Sequence, residues 1–111
     1  MKPERQQIAI AVANGWTSCQ MIHGDAMGRP PNVTDEFRIL PDYLNSFDAM
    51  SKVFVNMDPW AHVQFTSNLI AVYRKNNKQR DGAAAVDLLM ASAAEWAEAY
   101  LCTLGLWEED E

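Results

Sequence analysis

Two cysteines, two histidines and five glycines in 111 residues leave this chain short of the parts that announce chemistry. Cys19 and Cys102 stand near opposite ends, too few for a disulfide framework and without the paired CxxC spacing of a zinc site, so free thiols in a reducing compartment are expected. No GxGxxG, GxxxxGK[ST], GxSxG or HExxH occurs, and His23 and His62 supply few acid–base parts, so catalysis is not expected. Cys19, His23 and Asp25 make the best metal set available, but their spacing belongs to no recognised site. No metal and no cofactor is expected. Apolar runs fall short of the about 18 residues of a membrane span, and in "MKPERQQIAIAVANGW" Asn14 and Gly15 cut the apolar stretch too early for a signal peptide. A soluble, unexported protein without a membrane partner is expected.

What the chain does have is an apolar fraction of 49% and a charged fraction of 22%, which suit one globular domain over residues 1–111. Its net charge of −6 is unevenly laid out. "RKNNKQR" places Arg74, Lys75, Lys78 and Arg80 together, whereas every charged residue from Asp81 onward is acidic, ending in a short acidic tail from about residue 106. Phosphate repulsion makes such a chain a poor DNA binder, and the basic island reads as a solvated loop between helices.

Helix ends are the clearest local signals. Pro3 in a first turn with Glu4, closed by Asn14-Gly15, predicts a helix over Pro3–Ala13, although Ile8, Ile10 and Val12 alternate as a strand would. Residues 16–22 and 33–40 read as two short antiparallel strands, joined by an irregular loop through "HGDAMGRPPN". Ser46 caps a second helix with Asp48 in its first turn, and Phe47, Met50, Phe54 and Met57 form an apolar stripe within about 80° at about 100° per residue. Tyr43 joins that stripe if the helix reaches back to Pro41. "DPW" opens a third helix over 59–75, with Val63, Phe65, Leu69, Ile70, Val72 and Tyr73 as its buried face and His62 near the middle as a satisfied packing residue. A short helix or turn is expected over 84–90. Ser92 and Glu95 then form a capping box, and Gly105 closes a last helix over 93–104 that turns Ala97, Leu101 and Leu104 to the core, with Tyr100 at the margin and Trp96 partly exposed. The expected fold is α+β: a helix-rich small domain with a short antiparallel sheet between helices, resembling an α-β-α sandwich.

Candidate functional residues gather around "ILPDYLNSFDAM", residues 39–50. Asp42 and Asp48 form a conceivable carboxylate pair, but six residues across a helix start favour capping and solvation instead. Trp16, Arg38, Asp42, Tyr43 and Asn45 offer ring faces and hydrogen-bonding groups at the sheet-to-helix junction, the mixture of a small-molecule site. Trp96 and Trp107 are candidate protein-interface anchors beside Glu95, Glu98 and the acidic tail, and with the broad third helix they point to a homodimer or higher homo-oligomer.

Two stretches resemble a known family. "LPDYLNSFDAM" (residues 40–50) is similar to the "PxYLNDLNAM" signature of small bacteriophage proteins called the phage α-β-α (ABA) sandwich domain. "ASAAEWAEAYLCTLGLWEE" (residues 91–109) is similar to that family's closing "ATAAQRAEAxLxTLGxWEE", and Gly15-Trp16 falls in the expected place. Ser46 stands where Asp is usual, Asp48 for Asn, Glu95 for Gln and Trp96 for Arg. The resemblance implies a helix-and-sheet fold, a phage origin and action in the host bacterial cytoplasm, with no general activity attached. By association, it suggests an anti-defence protein that sequesters a small nucleotide-type immune signal. The alternatives are an inhibitor covering a host defence nuclease with its acidic face, and a structural or regulatory phage protein.

Overall fold

Residues 1–31, 36–76 and 91–109 are described by the computed structural model; the expected 84–90 helix and most of the basic island lie outside them. Helix α1, Pro3–Ala13, runs between the predicted ends. Its closure is a Schellman motif: the Gly15 N–H donates to Val12 O at 3.1 Å and the Trp16 N–H to Ala11 O at 3.0 Å, with Gly15 at φ 97° where a side chain would be strained. The period-2 pattern resolves as helix, with Ile10 and Ala11 fully buried and Val12 55% exposed.

Three strands follow, β1 (Thr17–Ile22), β2 (Asp25–Arg29) and β3 (Arg38–Ile39), in the order β1-β2-β3 and antiparallel throughout. The expectation of two strands flanking an irregular loop needs correction, because β2 lies inside that loop and is the central strand. His23 and Gly24 both have positive φ, 51° and 87°, the pattern that lets a two-residue turn join strands of right-handed twist. A bulge interrupts the ladder, since Thr17 pairs with Arg29 and Gln20 with Met27, leaving Ser18 and Cys19 opposite Gly28. Ser18 takes the left-handed conformation there, at φ 54°.

Helix α2, Phe47–Val55, starts at the predicted cap, where Ser46 Oγ accepts from the Ala49 N–H at 3.2 Å. It does not reach back to Pro41, and Tyr43 is buried from a turn instead. Met50 and Val53 are its buried residues, while Phe47 at the end of the expected stripe is 50% exposed. Helix α3, Pro59–Asn76, opens with Asp58 Oδ1 accepting from the Trp60 N–H at 3.0 Å. It buries Phe65, Leu69, Val72 and Tyr73, but Val63 is exposed, contrary to expectation. His62 donates from Nε2 to Phe54 O at 2.7 Å and stacks on the Phe54 ring at 4.4 Å, which satisfies the imidazole.

Helix α4, Ala93–Thr103, shows the complete Ser92–Glu95 capping box and closes in a second Schellman motif through Gly105 and Leu106. Leu104 caps this helix and is 41% exposed rather than a core residue, whereas Tyr100 is buried. Helix α4 packs chiefly on α3 and also on α1 and α2, and the sheet packs on α1. The chain is thus an α+β domain of four helices and a three-stranded antiparallel sheet among the described residues. Ile10, Met50, Phe65, Leu69 and Leu101 bring at least one fully buried side chain from each helix to a common core, each contributing roughly 1.5–3 kcal/mol of burial. Among the described residues, no helix is long and apolar enough to cross a membrane.

Candidate functional site

The junction between β3 and α2 is shaped by hydrogen bonds that its own residues supply. Gln7 of α1 donates from Nε2 to Leu40 O at 3.2 Å and Pro41 O at 2.9 Å, fixing where the chain leaves the sheet. Pro41 offers no N–H, and its carbonyl accepts from the Tyr43 N–H at 2.9 Å, a three-residue turn. Asp42 O then accepts from the Ser46 N–H at 2.9 Å, and Asn45 Nδ2 donates to Asp42 Oδ1 at 3.1 Å. The turn drives the Tyr43 ring inward, leaving it 3% exposed, while Asp42 and Asn45 face water.

Between this turn, the end of α1 and the first turns of α2 lies a hollow of about 430 Å³. Pro41, Ala49 and Val53 give it apolar wall; Asn14, Asp42, Tyr43, Ser46, Asp48 and Lys52 give it polar groups. Burial pushes the Tyr43 phenol up to about 12, helped by nearby Tyr100 and Cys19, so it stays protonated at neutral pH. No described residue is hydrogen-bonded to its hydroxyl. Asn14 donates from Nδ2 to Ile10 O at 2.7 Å and to the Tyr100 hydroxyl at 3.2 Å. Asp48 lies 3.4 Å from Lys52 in a solvent-exposed pair, an interaction worth little by itself.

Of the five residues expected to form a ligand site, Asp42 and Tyr43 line the hollow. Asn45 does not line it but orients the Asp42 carboxylate. Trp16 is half-buried against the core. Arg38 is exposed, its guanidinium bound to Glu36 at 2.7 and 3.1 Å, so the two do not join the site. Sequence reasoning assigned Ser46 and Asp48 to capping alone and missed Asn14, Pro41, Ala49, Lys52 and Val53. The available signal was the fourfold spacing of Asp48 with Lys52 and Ala49 with Val53, which puts both pairs on neighbouring strips of one helix.

The expected interface anchors are placed differently from one another. Trp96 is partly buried: its ring packs against Phe47, Phe54 and Phe65 at centroid distances of 5.8, 5.7 and 5.4 Å, with Nε1 buried and unpaired. Trp107 is half-buried against the core and donates from Nε1 to Glu109 at 3.1 Å. The described acids around them are engaged within the chain: Glu95 in the capping box and with Asn76 at 3.2 Å, Glu98 with Lys75 at 2.6 Å, and Glu108 with Arg5 at 2.8 Å. The most exposed tryptophan is Trp60, 84% open beside Val63 and Leu104 at a second, shallower hollow.

Among the described residues, no group of three His, Cys, Asp or Glu side chains could hold a metal ion. Burial raises both thiols, Cys19 and Cys102, away from the thiolate form that a nucleophile needs. Comparison with family models, curated proteins and solved structures finds no match. The site is therefore read from its own chemistry.

Proposed function

We propose that the protein acts by binding a small molecule in the hollow at the β3–α2 junction, not by catalysis. The observation that carries this reading is the hollow itself, about 430 Å³ with apolar wall on one side and Asn14, Asp42, Tyr43 and Asp48 on the other, within the size range of small-molecule sites. Raised thiol and phenol pKa values support binding over covalent chemistry, since these groups stay protonated and poorly nucleophilic at neutral pH. In the bacteriophage setting that the family resemblance implies, such a protein removes a diffusible host immune signal from the bacterial cytoplasm. A nucleotide-type signal would enter base and ribose first and leave its phosphates in water, because Asp42 and Asp48 repel them. The rival reading, an inhibitor of a host nuclease, has less support, as the acids it would use already pair within the chain and Trp96 packs among aromatic rings.

Thermal unfolding in the presence of cyclic nucleotides, ADP-ribose derivatives and small amines tests the proposal. A true ligand at a hundredfold excess over its Kd adds about 2.7 kcal/mol, or roughly ten degrees in midpoint for a domain of this size. A flat response across the whole panel rejects the binding reading.

A further inference from the structure

A second surface, sharing no residue with the hollow at the β3–α2 junction, lies on α3. That helix carries no Asp, Glu, Lys or Arg from Pro59 to Tyr73, in a chain of which 22% is charged. Trp60, Val63, Gln64, Ser67, Ala71 and Arg74 are all exposed, and at about 100° per residue they fall on one stripe about 100° wide. A solvated helix face ordinarily carries its charges there. Here the first five residues are uncharged, with Trp60 and Val63 84% and 69% exposed. Depletion of charge around an exposed tryptophan is the composition of an interface core.

We propose that this stripe joins two copies of the chain, α3 packing antiparallel on α3 about a two-fold axis at the level of Phe65 and Thr66. Such an interface must be complementary to itself, and the stripe is so in size, polarity and charge. The axis sets Trp60 of one copy against Ala71 of the other, the largest side chain of the stripe against the smallest. A hollow of about 150 Å³ opens beside Ala71, with Asn68, Val72 and Cys102 among its lining residues, where the indole can seat. Gln64 falls opposite Ser67 near the axis, where an amide and a hydroxyl can share a hydrogen bond. Asp58 is exposed and lines a shallow hollow with Trp60, Val63 and Gln64. It comes level with Arg74 of the second copy, so opposite charges meet at both ends. A parallel pairing would set Trp60 on Trp60 and Arg74 on Arg74. From Trp60 to Arg74 the stripe spans about 21 Å. That is short of a standard interface, so the dimer is reversible, with a Kd on the order of 10–100 µM.

Sedimentation velocity of the full chain from about 5 to about 500 µM, a range that brackets such a Kd, tests the proposal. The weight-average coefficient should rise with concentration toward the dimer value. Trp60→Ala should weaken association about thirtyfold or more. Ser67→Arg, which brings two guanidinium groups together beside the axis, should abolish it across the range. Both positions are exposed, so the unfolding midpoints at the lowest concentration should stay within about three degrees of the parent chain. Arg74→Glu sets acid against acid at both ends and should weaken the dimer about fivefold at low salt. A chain that stays monomeric at the highest concentration overturns the assignment to a second copy and leaves the stripe to a different partner. A dimer indifferent to Trp60→Ala and Ser67→Arg forms elsewhere and overturns the α3 surface. A dimer undiminished by Arg74→Glu overturns the antiparallel register.

Discussion

Gly28 sits where β2 passes the bulge in β1, and replacing it by alanine measures how closely the two strands approach. A Cβ built there would lie 2.8 Å from Cys19 Sγ, 3.3 Å from Thr17 O and 3.4 Å from Cys19 Cα. Favourable contacts between such atoms lie near 3.5–4.0 Å, so the thiol overlaps by about 0.7 Å while the backbone atoms are only tight. Overpacking of this kind costs roughly 1–3 kcal/mol, offset by about 0.4–1 kcal/mol because alanine restricts the unfolded chain. Gly28→Ala should therefore destabilise by about 1–2 kcal/mol, lowering the urea midpoint by about 1 M with the slope unchanged. In a Cys19→Ala background the sulfur is gone, and the same substitution should fall within about 0.5 kcal/mol of neutral. The coupling energy of the double-mutant cycle, about 1–2 kcal/mol, isolates the thiol contact. Equal losses in both backgrounds would refute the reasoning by showing that backbone, not sulfur, is the obstacle.

At the same bulge, Ser18 holds φ 54°; Ser18→Gly should raise the midpoint by about 2–4 degrees in calorimetry, since a left-handed non-glycine residue costs about 1 kcal/mol. Trp96→Ala removes three ring contacts and should cost about 3–5 kcal/mol. Trp96→Phe should cost far less, because it also removes a buried unpaired N–H worth about 1–3 kcal/mol in lost hydration; chemical denaturation of both variants checks the difference. Tyr43 ionises in the folded protein only at about 12, against about 10 in an unfolded chain. Its contribution is complete below pH 10 and is lost as the pH rises from 10 through 12, so Tyr43→Phe should flatten the alkaline limb of a stability-versus-pH curve.

Helix boundaries were legible because short side chains at the ends do local work: Ser46, Asp58 and Ser92 accept backbone N–H groups three or fewer residues away. Such bonds need no knowledge of the rest of the chain. Strand β2 was hidden for the opposite reason. "DAMGR" has no β-branched residue, and its strand identity comes from pairing on both sides and from a turn that puts a histidine at positive φ. Trp96 is partly exposed, as its place off the stripe suggested, but a single-helix stripe could not show that its indole reaches residues on α2 and α3. Two of the nine residues lining the hollow, Asp42 and Tyr43, were readable in "PDYLNS" as polar groups at a sheet-to-helix junction. Asn14 was beyond reach, as it meets the hollow only through tertiary contacts, the Gln7 bonds to Leu40 and Pro41 and the packing of α1 on α4.

That packing sets a timetable for synthesis. Asn14 touches the Tyr100 hydroxyl across 86 positions of sequence, and Ile10 and Ala11 are covered in part by a helix made long after them. At translation rates of about 5–20 residues per second, the first helix waits on the order of ten seconds with its apolar strip bare, while the hairpin it packs against is already complete. During that interval the nascent chain offers a bare helix strip beside a finished hairpin, and the Asn14–Tyr100 hydrogen bond forms only once Ala93–Thr103 has been made.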